Sequence, residues 1–316
     1  MKIASKKHRV HTVSIFIMTT PLTRRTFICA TTFAGAGLAL TQSPAQTTTP
    51  VRKLRKGVMY ATVKMKGTVA EKFKGIREAG FEGVEPMGAM NRQEVLEALH
   101  SSGLEAASVC CHSHWHDTLS DRDAAVRKKG LEGLLTTLRD AKAYGAGSIL
   151  LVPGVVNKDV AYDDSWKRSQ ECIREALPLA KELEVRISIE NVWNNFLLSP
   201  LEMARYIDEF NSPWVGAHFD IGNVLRNGWP DQWIRILGKR INRLHFKEFD
   251  TAKMNKQGPY AGFDCDFLTG SNDWPAIVHA LNDTGYNGWC IAEQRMGINP
   301  ADMKKLTEAM DKIIAM

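Results

Sequence analysis

Four side chains able to bind a cation or move a proton stand at or near the ends of apolar segments: Glu190, Asp220, His245 and Glu293. In the segment 185–190, apolar residues occupy every second position and Glu190 falls on the polar positions. Because side chains alternate across a strand, the apolar set faces one way and the polar set the other. If these segments are neighbouring parallel strands, the four polar groups meet at one end of one sheet.

Three carboxylates brought together in this way repel one another unless a cation neutralises them. Three carboxylates and one imidazole suit a hard or borderline divalent ion. Any one of the four would more commonly be a solvated loop residue or a helix cap, but all four in phase favour a ligand set. The sequence therefore predicts one divalent metal ion held by Glu190, Asp220, His245 and Glu293. We expect Mn²⁺, with Mg²⁺, Co²⁺ or Zn²⁺ as alternatives.

The elements that must position these side chains follow a regular rhythm of apolar segments and amphipathic stretches. Strands are predicted at 57–63, 82–87, 105–112, 148–153, 185–192, 215–221, 242–249 and 288–294. Helices are predicted at 68–79, 91–102, 121–143, 163–183, 200–210, 230–238, 273–284 and 300–314. Eight strand–helix repeats predict an α/β protein of the (β/α)8 TIM-barrel class, with the active site at the carboxyl ends of the strands. A doubly wound open sheet is the alternative, but the first strand is not followed by a glycine-rich phosphate loop.

Several stretches resemble the sugar phosphate isomerase/epimerase family, which belongs to the xylose isomerase-like TIM-barrel superfamily. The stretches are Ile189-Glu190-Asn191-Val192, Phe219-Asp220-Ile221-Gly222-Asn223, His245-Phe246-Lys247-Glu248 and Ala292-Glu293. The resemblance covers roughly 57–314. It implies that Glu190, Asp220, His245 and Glu293 bind one divalent metal, and that Glu190 and Glu293 also act as an acid/base pair. Such a pair removes and returns the proton beside a ketone while the cation stabilises the enediolate.

The chain departs from the ketohexose branch of that family. Epimerases of free ketohexoses often carry a His three residues after the metal-binding Asp, where this chain has Asn223. They also often carry an Arg shortly after the metal-binding His, but no Arg stands near Thr251. The Asp-Ile-Gly-Asn form looks more like the sugar-phosphate and inositol-type branches. The metal prediction is unaffected, and the identity of the substrate stays open.

Other residues are candidates for contact with the substrate because they lie at or just after strand ends. Each has a plainer alternative: a buried salt bridge for Glu85, a position along a loop for the histidines, core packing for the aromatic residue, and pairing with a ligand carboxylate for Lys247. We expect at least one of His112 and His114 to contact substrate. The candidates are Glu85, His112, His114, Trp193, Asn223, Lys247 and Arg295.

The net charge of +6 would suggest a nucleic-acid partner, but its distribution removes that suggestion. Residues 1–45 carry basic residues and no acidic ones, and they account for the whole excess. Arg24-Arg25, an apolar run and small residues before position 46 predict a twin-arginine export signal, with Met1 or Met18 as the start. An ordinary secretory signal or an N-terminal anchor is the alternative. Residues 46–56 are interpreted as a linker and 57–316 as the catalytic domain. We therefore expect a periplasmic protein without a membrane span after cleavage.

Four classes of function fit this pattern to different degrees. The favoured one is a metal-dependent isomerase or epimerase of a keto sugar or related polyol; the alternative is a lyase or hydrolase of 3-keto glycosides that uses the same site. A nuclease of the endonuclease IV type needs more ligands and a basic groove, and a non-catalytic sugar-binding barrel does not need acid/base residues. We expect a small-molecule carbohydrate as substrate and no nucleic acid, and a homo-oligomer is left open.

Overall fold

The computed structural model of the protein describes residues 53–294 and 299–316. Parallel strands and helices alternate along these residues, as the sequence predicts. The strands are β1 (Leu54–Met59), β2 (Gly83–Glu85), β3 (Glu105–Ala106), β4 (Val109–Cys110), β5 (Ser148–Leu151), β6 (Arg186–Glu190), β7 (Val215–Asp220), β8 (Ile241–Phe246) and β9 (Gly288–Ala292). The expected leader of residues 1–45 and Arg295 lie outside the described residues.

Helices cover the outside of the strands. They are α1 (Val69–Glu78), α2 (Arg92–Ser102), α3 (Ala124–Tyr144), α4 (Tyr162–Leu183), α5 (Pro200–Asp208), α6 (Ile221–Val224), α7 (Pro230–Leu237), α8 (Thr251–Gln257), α9 (Trp274–Thr284) and α10 (Pro300–Ile314). Their starts are coded locally: Thr68 and Glu71 form a reciprocal capping box on α1, which satisfies backbone N–H groups that the first turn leaves free. In the part of the chain that the structure describes, no helix is long and apolar enough to cross a bilayer.

The strands form a parallel sheet in the order β3-β2-β1-β9-β8-β7-β6-β5-β4, which is the strand arrangement of a TIM barrel. The third predicted strand is split, since only Ala107 and Ser108 separate β3 from β4. The two pieces lie at opposite ends of the strand order, and β3 pairs with β2 while β4 pairs with β5. A bridge between Met87 and Cys110 links the two sides. The eight predicted repeats thus become nine strands around one barrel.

Both boundaries of the first strand differ from the sequence prediction. Strand β1 begins at Leu54, inside the range interpreted as a linker, because residues 54–58 pair with β9 and Leu54 is buried. The same strand ends at Met59, and Tyr60–Thr62 forms a 3-10 turn instead of continuing the strand to residue 63. The alternating pattern within the strands is confirmed. Outward residues such as Ile189, Phe219 and Leu244 join the core formed with the helices, so their polar neighbours face the barrel interior.

The lower interior of the barrel is filled by small, aromatic and neutral polar groups. Met59, Ala107, Trp289 and Ile291 form an apolar cluster of their own, separate from the core under the helices. Nearby strands add hydroxyl and amide groups, with Ser148 Oγ 2.6 Å from Ser188 Oγ and Asn242 Nδ2 donating to Ser188 Oγ at 2.9 Å. The Arg243 guanidinium also lies in this region and donates from Nε to the Ala107 carbonyl at 2.6 Å. The interior is therefore a packed core rather than a pore, and the ligand carboxylates gather at its carboxyl end.

Candidate active site and metal centre

Four consecutive strands bring the predicted ligand residues together. Glu190 and Asp220 end β6 and β7, His245 is the penultimate residue of β8, and Glu293 follows β9 directly. Each of the four residues offers one potential ligand atom, and these four atoms all lie within 4.8 Å of one another. His245 Nδ1 is 3.0 Å from both Glu190 Oε1 and Glu293 Oε2, and 3.9 Å from Asp220 Oδ2. The polar side chains at alternate strand positions therefore meet at one end of the barrel, as the sequence predicted.

The donor set fits a divalent cation. Asp220 Oδ2 and Glu293 Oε2 are buried and accept no hydrogen bond of ordinary geometry from the described residues. Lys247 Nζ is in ion-pair contact with both oxygens, at 2.8 and 2.6 Å, and supplies positive charge to them in the metal-free protein. Buried carboxylate oxygens without donors require a positive partner. Glu190, Asp220, His245 and Glu293 would hold a cation such as Mn²⁺, Mg²⁺ or Co²⁺.

The two glutamates of this cluster differ in their electrostatic surroundings. Burial raises the pKa of Glu190 to about 7, although His245 acts against the shift. Burial also acts to raise the pKa of Glu293, but Lys247 and His245 outweigh it and hold that pKa well below its ordinary value. Burial raises the pKa of Asp220 to about 6, against the attraction of Lys247. At neutral pH, Glu190 can therefore exchange a proton while Glu293 stays ionised.

Two asparagines fix the position of Asp220. Asn191 and Asp220 exchange hydrogen bonds of 2.8 Å: Asn191 Nδ2 donates to the Asp220 carbonyl, and the Asp220 N–H donates to Asn191 Oδ1. The Asn223 N–H donates to Asp220 Oδ1 at 2.8 Å, which leaves Oδ2 for the cluster. A Cβ on Gly222 would lie 2.8 Å from Lys247 Cγ, so glycine lets β7 and β8 approach at this height.

A cavity of about 450 Å³ opens above the cluster. Glu190, Asn223, Lys247 and Glu293 line one side of it, together with residues after β6. The remaining lining residues are mostly apolar. The lining residues are Met59, Ala61, Thr62, Cys110, His114, Trp115, Leu150, Glu190, Val192, Trp193, Asn223, Lys247, Tyr260, Phe263 and Glu293. Both glutamates of the ligand set therefore contact the space that a substrate would occupy.

The sequence profile of the family described as Xylose isomerase-like TIM barrel matches residues 73–313. The chain belongs to this family. L-ribulose-5-phosphate 3-epimerase UlaE of Escherichia coli O1:K1 / APEC is 26% identical over 205 residues, which are 64% of this chain and 69% of that protein. Two solved structures share the fold. The 3-keto-D-glucoside 4-epimerase YcjR of E. coli (apo form) has a TM-score of 0.70 and 18% identity, covering 84% of this chain and all of that chain. An L-ribulose 3-epimerase has a TM-score of 0.69 and 17% identity, covering 83% and 95%.

Of the two candidate histidines His112 and His114, only His114 lines the cavity. His114 is buried, and its Nδ1 accepts a hydrogen bond from the Val152 N–H at 3.2 Å. Burial lowers the pKa of His114 to about 3, so the ring is neutral and its proton is on Nε2. His112 does not line the cavity, because residues 112–116 form turns rather than a continuing strand. Its ring lies near α3, with Cε1 3.6 Å from the place a Cβ on Gly133 would take.

Glu85 ends β2, as the sequence predicts, but it does not line the cavity. Its surroundings match the alternative of a buried salt bridge, because Glu85 is fully buried and its Oε2 is 2.9 Å from His245 Nε2. Trp193 lines the cavity, but its ring is enclosed by Phe249, Tyr260, Phe263 and the Arg226 guanidinium. Its Nε1 donates to the Asn223 carbonyl at 2.8 Å.

Sequence reasoning missed Asn191 as the residue that anchors Asp220, and Tyr260 as part of the cavity wall. Asn191 directly follows Glu190 inside a stretch that resembles the family, and that proximity was the available signal. No comparable signal marks Tyr260, which reaches the site from a 3-10 turn (Pro259–Phe263) between β8 and α9.

Proposed function

We propose that this chain is a divalent-metal-dependent sugar epimerase, in which Glu190 and Glu293 remove and return the proton on the carbon beside a ketone. The observation that carries the proposal is that these glutamates belong to the ligand cluster and also line the cavity. The curated relative named above is an epimerase of a sugar phosphate, and the two solved structures are sugar epimerases. The family supports the same class of chemistry for this chain.

The chemical problem is that a proton beside a ketone is too weakly acidic to leave unaided. When bound, the cation would polarise the carbonyl oxygen and stabilise the negative charge that develops there. The residues of the chain do the remaining work. Glu190 and Glu293 come from β6 and β9, three strands apart, and approach the cavity from different directions. One carboxylate takes the C–H proton from one face of the carbon, and the other carboxylic acid returns a proton to the opposite face. The carbon is thereby inverted.

The pKa values of the two glutamates are shifted in opposite directions, which suits one group to accept a proton and the other to return one. Glu293, held ionised by Lys247 and His245, is suited to accept the proton first. Of the two, Glu190 binds a proton more readily, since its pKa in the metal-free cluster is about 7, and it is therefore suited to be the group that returns a proton. His114 can donate a hydrogen bond from Nε2 to a substrate hydroxyl, because its Nδ1 already accepts the Val152 N–H.

For the substrate we propose an unphosphorylated keto sugar, a related polyol or a keto glycoside. This choice rests on the proposed export of the chain, since sugar phosphates are mainly cytoplasmic. Export is tested by changing Arg24 and Arg25 to Lys and measuring the periplasmic fraction. We expect export to be lost. A periplasmic fraction unaffected by the double change would contradict the twin-arginine route.

The function is tested by incubating the protein with Mn²⁺ and a panel of keto sugars and keto glycosides in D₂O, followed by NMR. We expect deuterium at the carbon beside the carbonyl of one substrate, together with the epimer at that carbon. Metal-free protein and Glu190→Gln protein serve as controls and should give neither product. If no substrate gains deuterium while Mn²⁺ is shown to be bound, enolisation is excluded for that panel. Release of a free aglycone would instead identify the lyase alternative.

A further inference from the structure

A second buried group lies directly behind the ligand cluster. It consists of Glu85 at the end of β2, His218 on β7 and His245 on β8, and all three side chains are fully buried. Glu85 and His218 do not line the cavity, so neither can touch a substrate there. A carboxylate buried at this depth is costly unless it serves a charged or hydrogen-bonding partner. Its partner in the structure is His245.

The His245 ring stands between Glu85 and the ligand carboxylates. Its Nε2 is 2.9 Å from Glu85 Oε2, while Nδ1, on the other side of the ring, is 3.0 Å from both Glu190 and Glu293. An ionised carboxylate only accepts hydrogen bonds, so the contact requires the proton to be on Nε2. In the metal-free protein Nδ1 also carries a proton, which Glu190 and Glu293 accept, and when that proton leaves, the Nδ1 lone pair faces the ligand cluster.

We propose that Glu85 is the positioning residue of the metal centre: it fixes the tautomer and the orientation of His245 and makes Nδ1 a stronger ligand. A carboxylate that accepts the second N–H of a ligating imidazole has these effects in metal sites generally. The proposal rests on the proposed function, because it assumes that His245 binds a cation.

His218 completes the arrangement by limiting the freedom of the His245 ring. The two rings meet edge to face with centroids 4.2 Å apart and planes at 70°. His218 Nε2 is 3.8 Å from Glu85 Oε1, so the same carboxylate lies beside both imidazoles. A 180° flip of the His245 ring is therefore opposed on two sides: it would break the hydrogen bond to Glu85 and would have to pass His218.

The test measures Mn²⁺ binding to metal-free protein by calorimetry for wild type, Glu85→Gln and Ser188→Ala. Ser188 is the matched control, because it is buried inside the barrel and hydrogen-bonded to Ser148 and Asn242, whereas the polar partners of His245 are carboxylates. We expect Glu85→Gln to weaken Mn²⁺ binding by about 10- to 100-fold. We expect Ser188→Ala to lower the melting temperature and to leave Mn²⁺ binding within about twofold of wild type. Glu85→Asp, whose shorter side chain withdraws from Nε2, replaces Glu85→Gln if that variant does not fold.

A spectroscopic readout separates positioning from general destabilisation. In Co²⁺-loaded protein, the Nε2–H of a ligating His245 gives a paramagnetically shifted, exchangeable proton resonance. We expect this resonance in wild type and Ser188→Ala, and expect it to shift and to exchange faster in Glu85→Gln. The proposal is overturned if Glu85→Gln binds Mn²⁺ within about twofold of wild type and keeps the resonance unchanged. If wild-type protein itself binds neither ion, the metal-dependent function fails first, and that outcome is distinct from a failure confined to the Glu85 variant.

Discussion

Buried carboxylates at the carboxyl end of the barrel fall into two sets, which differ in the partners that satisfy their oxygens. Glu248, just beyond β8, is fully buried and accepts hydrogen bonds from the N–H groups of Phe249, Leu268 and Asn272 and from Trp274 Nε1. These four donors satisfy both of its oxygens. Asp220 Oδ2 and Glu293 Oε2, in contrast, have ammonium and imidazole neighbours but no hydrogen-bond donor of ordinary geometry among the described residues.

The difference separates a structural acid from a ligand. The N–H donors that follow β8 satisfy the Glu248 carboxylate, so Glu248 links this segment to the strand and needs no further partner. The carboxylates of the cluster are neutralised by Lys247 and His245. A bound cation could replace part of the positive charge that these two residues supply. Burial alone therefore does not identify a functional acid, whereas the identity of its partners does.

The largest effect should follow from removing a base of the cluster. We expect Glu190→Gln and Glu293→Gln each to lower kcat by on the order of 10²–10⁴, because Gln keeps the size of Glu but cannot accept the proton. Steady-state kinetics with saturating Mn²⁺, alongside circular dichroism, measures this. One of the two variants should still exchange the substrate proton with solvent from one face without completing epimerisation. A variant that binds metal and keeps more than about a tenth of wild-type activity would show that its residue is not an essential base.

The second effect concerns the structural acid. We expect Glu248→Gln to lower the free energy of unfolding by about 2–3 kcal/mol, since the amide NH₂ cannot accept the buried N–H groups that one carboxylate oxygen serves. Urea denaturation measures the change. Mn²⁺ affinity, measured in parallel, should stay within about twofold of wild type, because Glu248 faces away from the cluster. A larger change in affinity would break the distinction between the two sets of acids.

The third effect concerns the ammonium that balances the cluster. We expect Lys247→Met to raise Mn²⁺ affinity at least about tenfold, because it removes a positive charge that contacts Asp220 and Glu293 and opposes a cation there. The metal-free variant should also be less stable, because Asp220 and Glu293 lose their ion pair. Calorimetric titration checks the first change and thermal melting of metal-free protein the second. A decrease in Mn²⁺ affinity would mean that Lys247 supports the bound cation instead of competing with it.

The smallest effect is the pH dependence of metal binding. The pKa of Glu190 is about 7, and Glu85 and Glu293 outweigh burial to raise the pKa of His245 well above its usual range. Both groups must lose a proton before they can act as ligands, so affinity should fall severalfold from pH 7.5 to 6.5. Calorimetry in buffers with different ionisation enthalpies should detect more than one proton released per ion at pH 6.5. Affinity that is constant over this range would contradict the protonation states assigned to the metal-free cluster.

The sequence predicts the strands, helices and ligand cluster well for a physical reason. Apolar residues at every second position of β6 and β7 fix which face is buried, and parallel strands share one carboxyl edge. The role of Glu85 could not be predicted in the same way, because its contact with His245 crosses the barrel interior between β2 and β8, which are not neighbours in the sheet. Alternation could not decide between His112 and His114, because it applies only while a strand continues. Beyond Cys110 the backbone turns, and only one of these two residues reaches the cavity.

All four ligand side chains come from one half of the barrel, β6 to β9, while Met59, Ala61, Cys110 and Leu150 line the cavity from the other half. This arrangement matters for how such an enzyme changes over evolutionary time or in a directed-evolution library. Mutations on the apolar wall can reshape the space for a sugar, a substituent or a second ring without touching a charged group. The chemistry and the choice of substrate can therefore be inherited and altered almost independently.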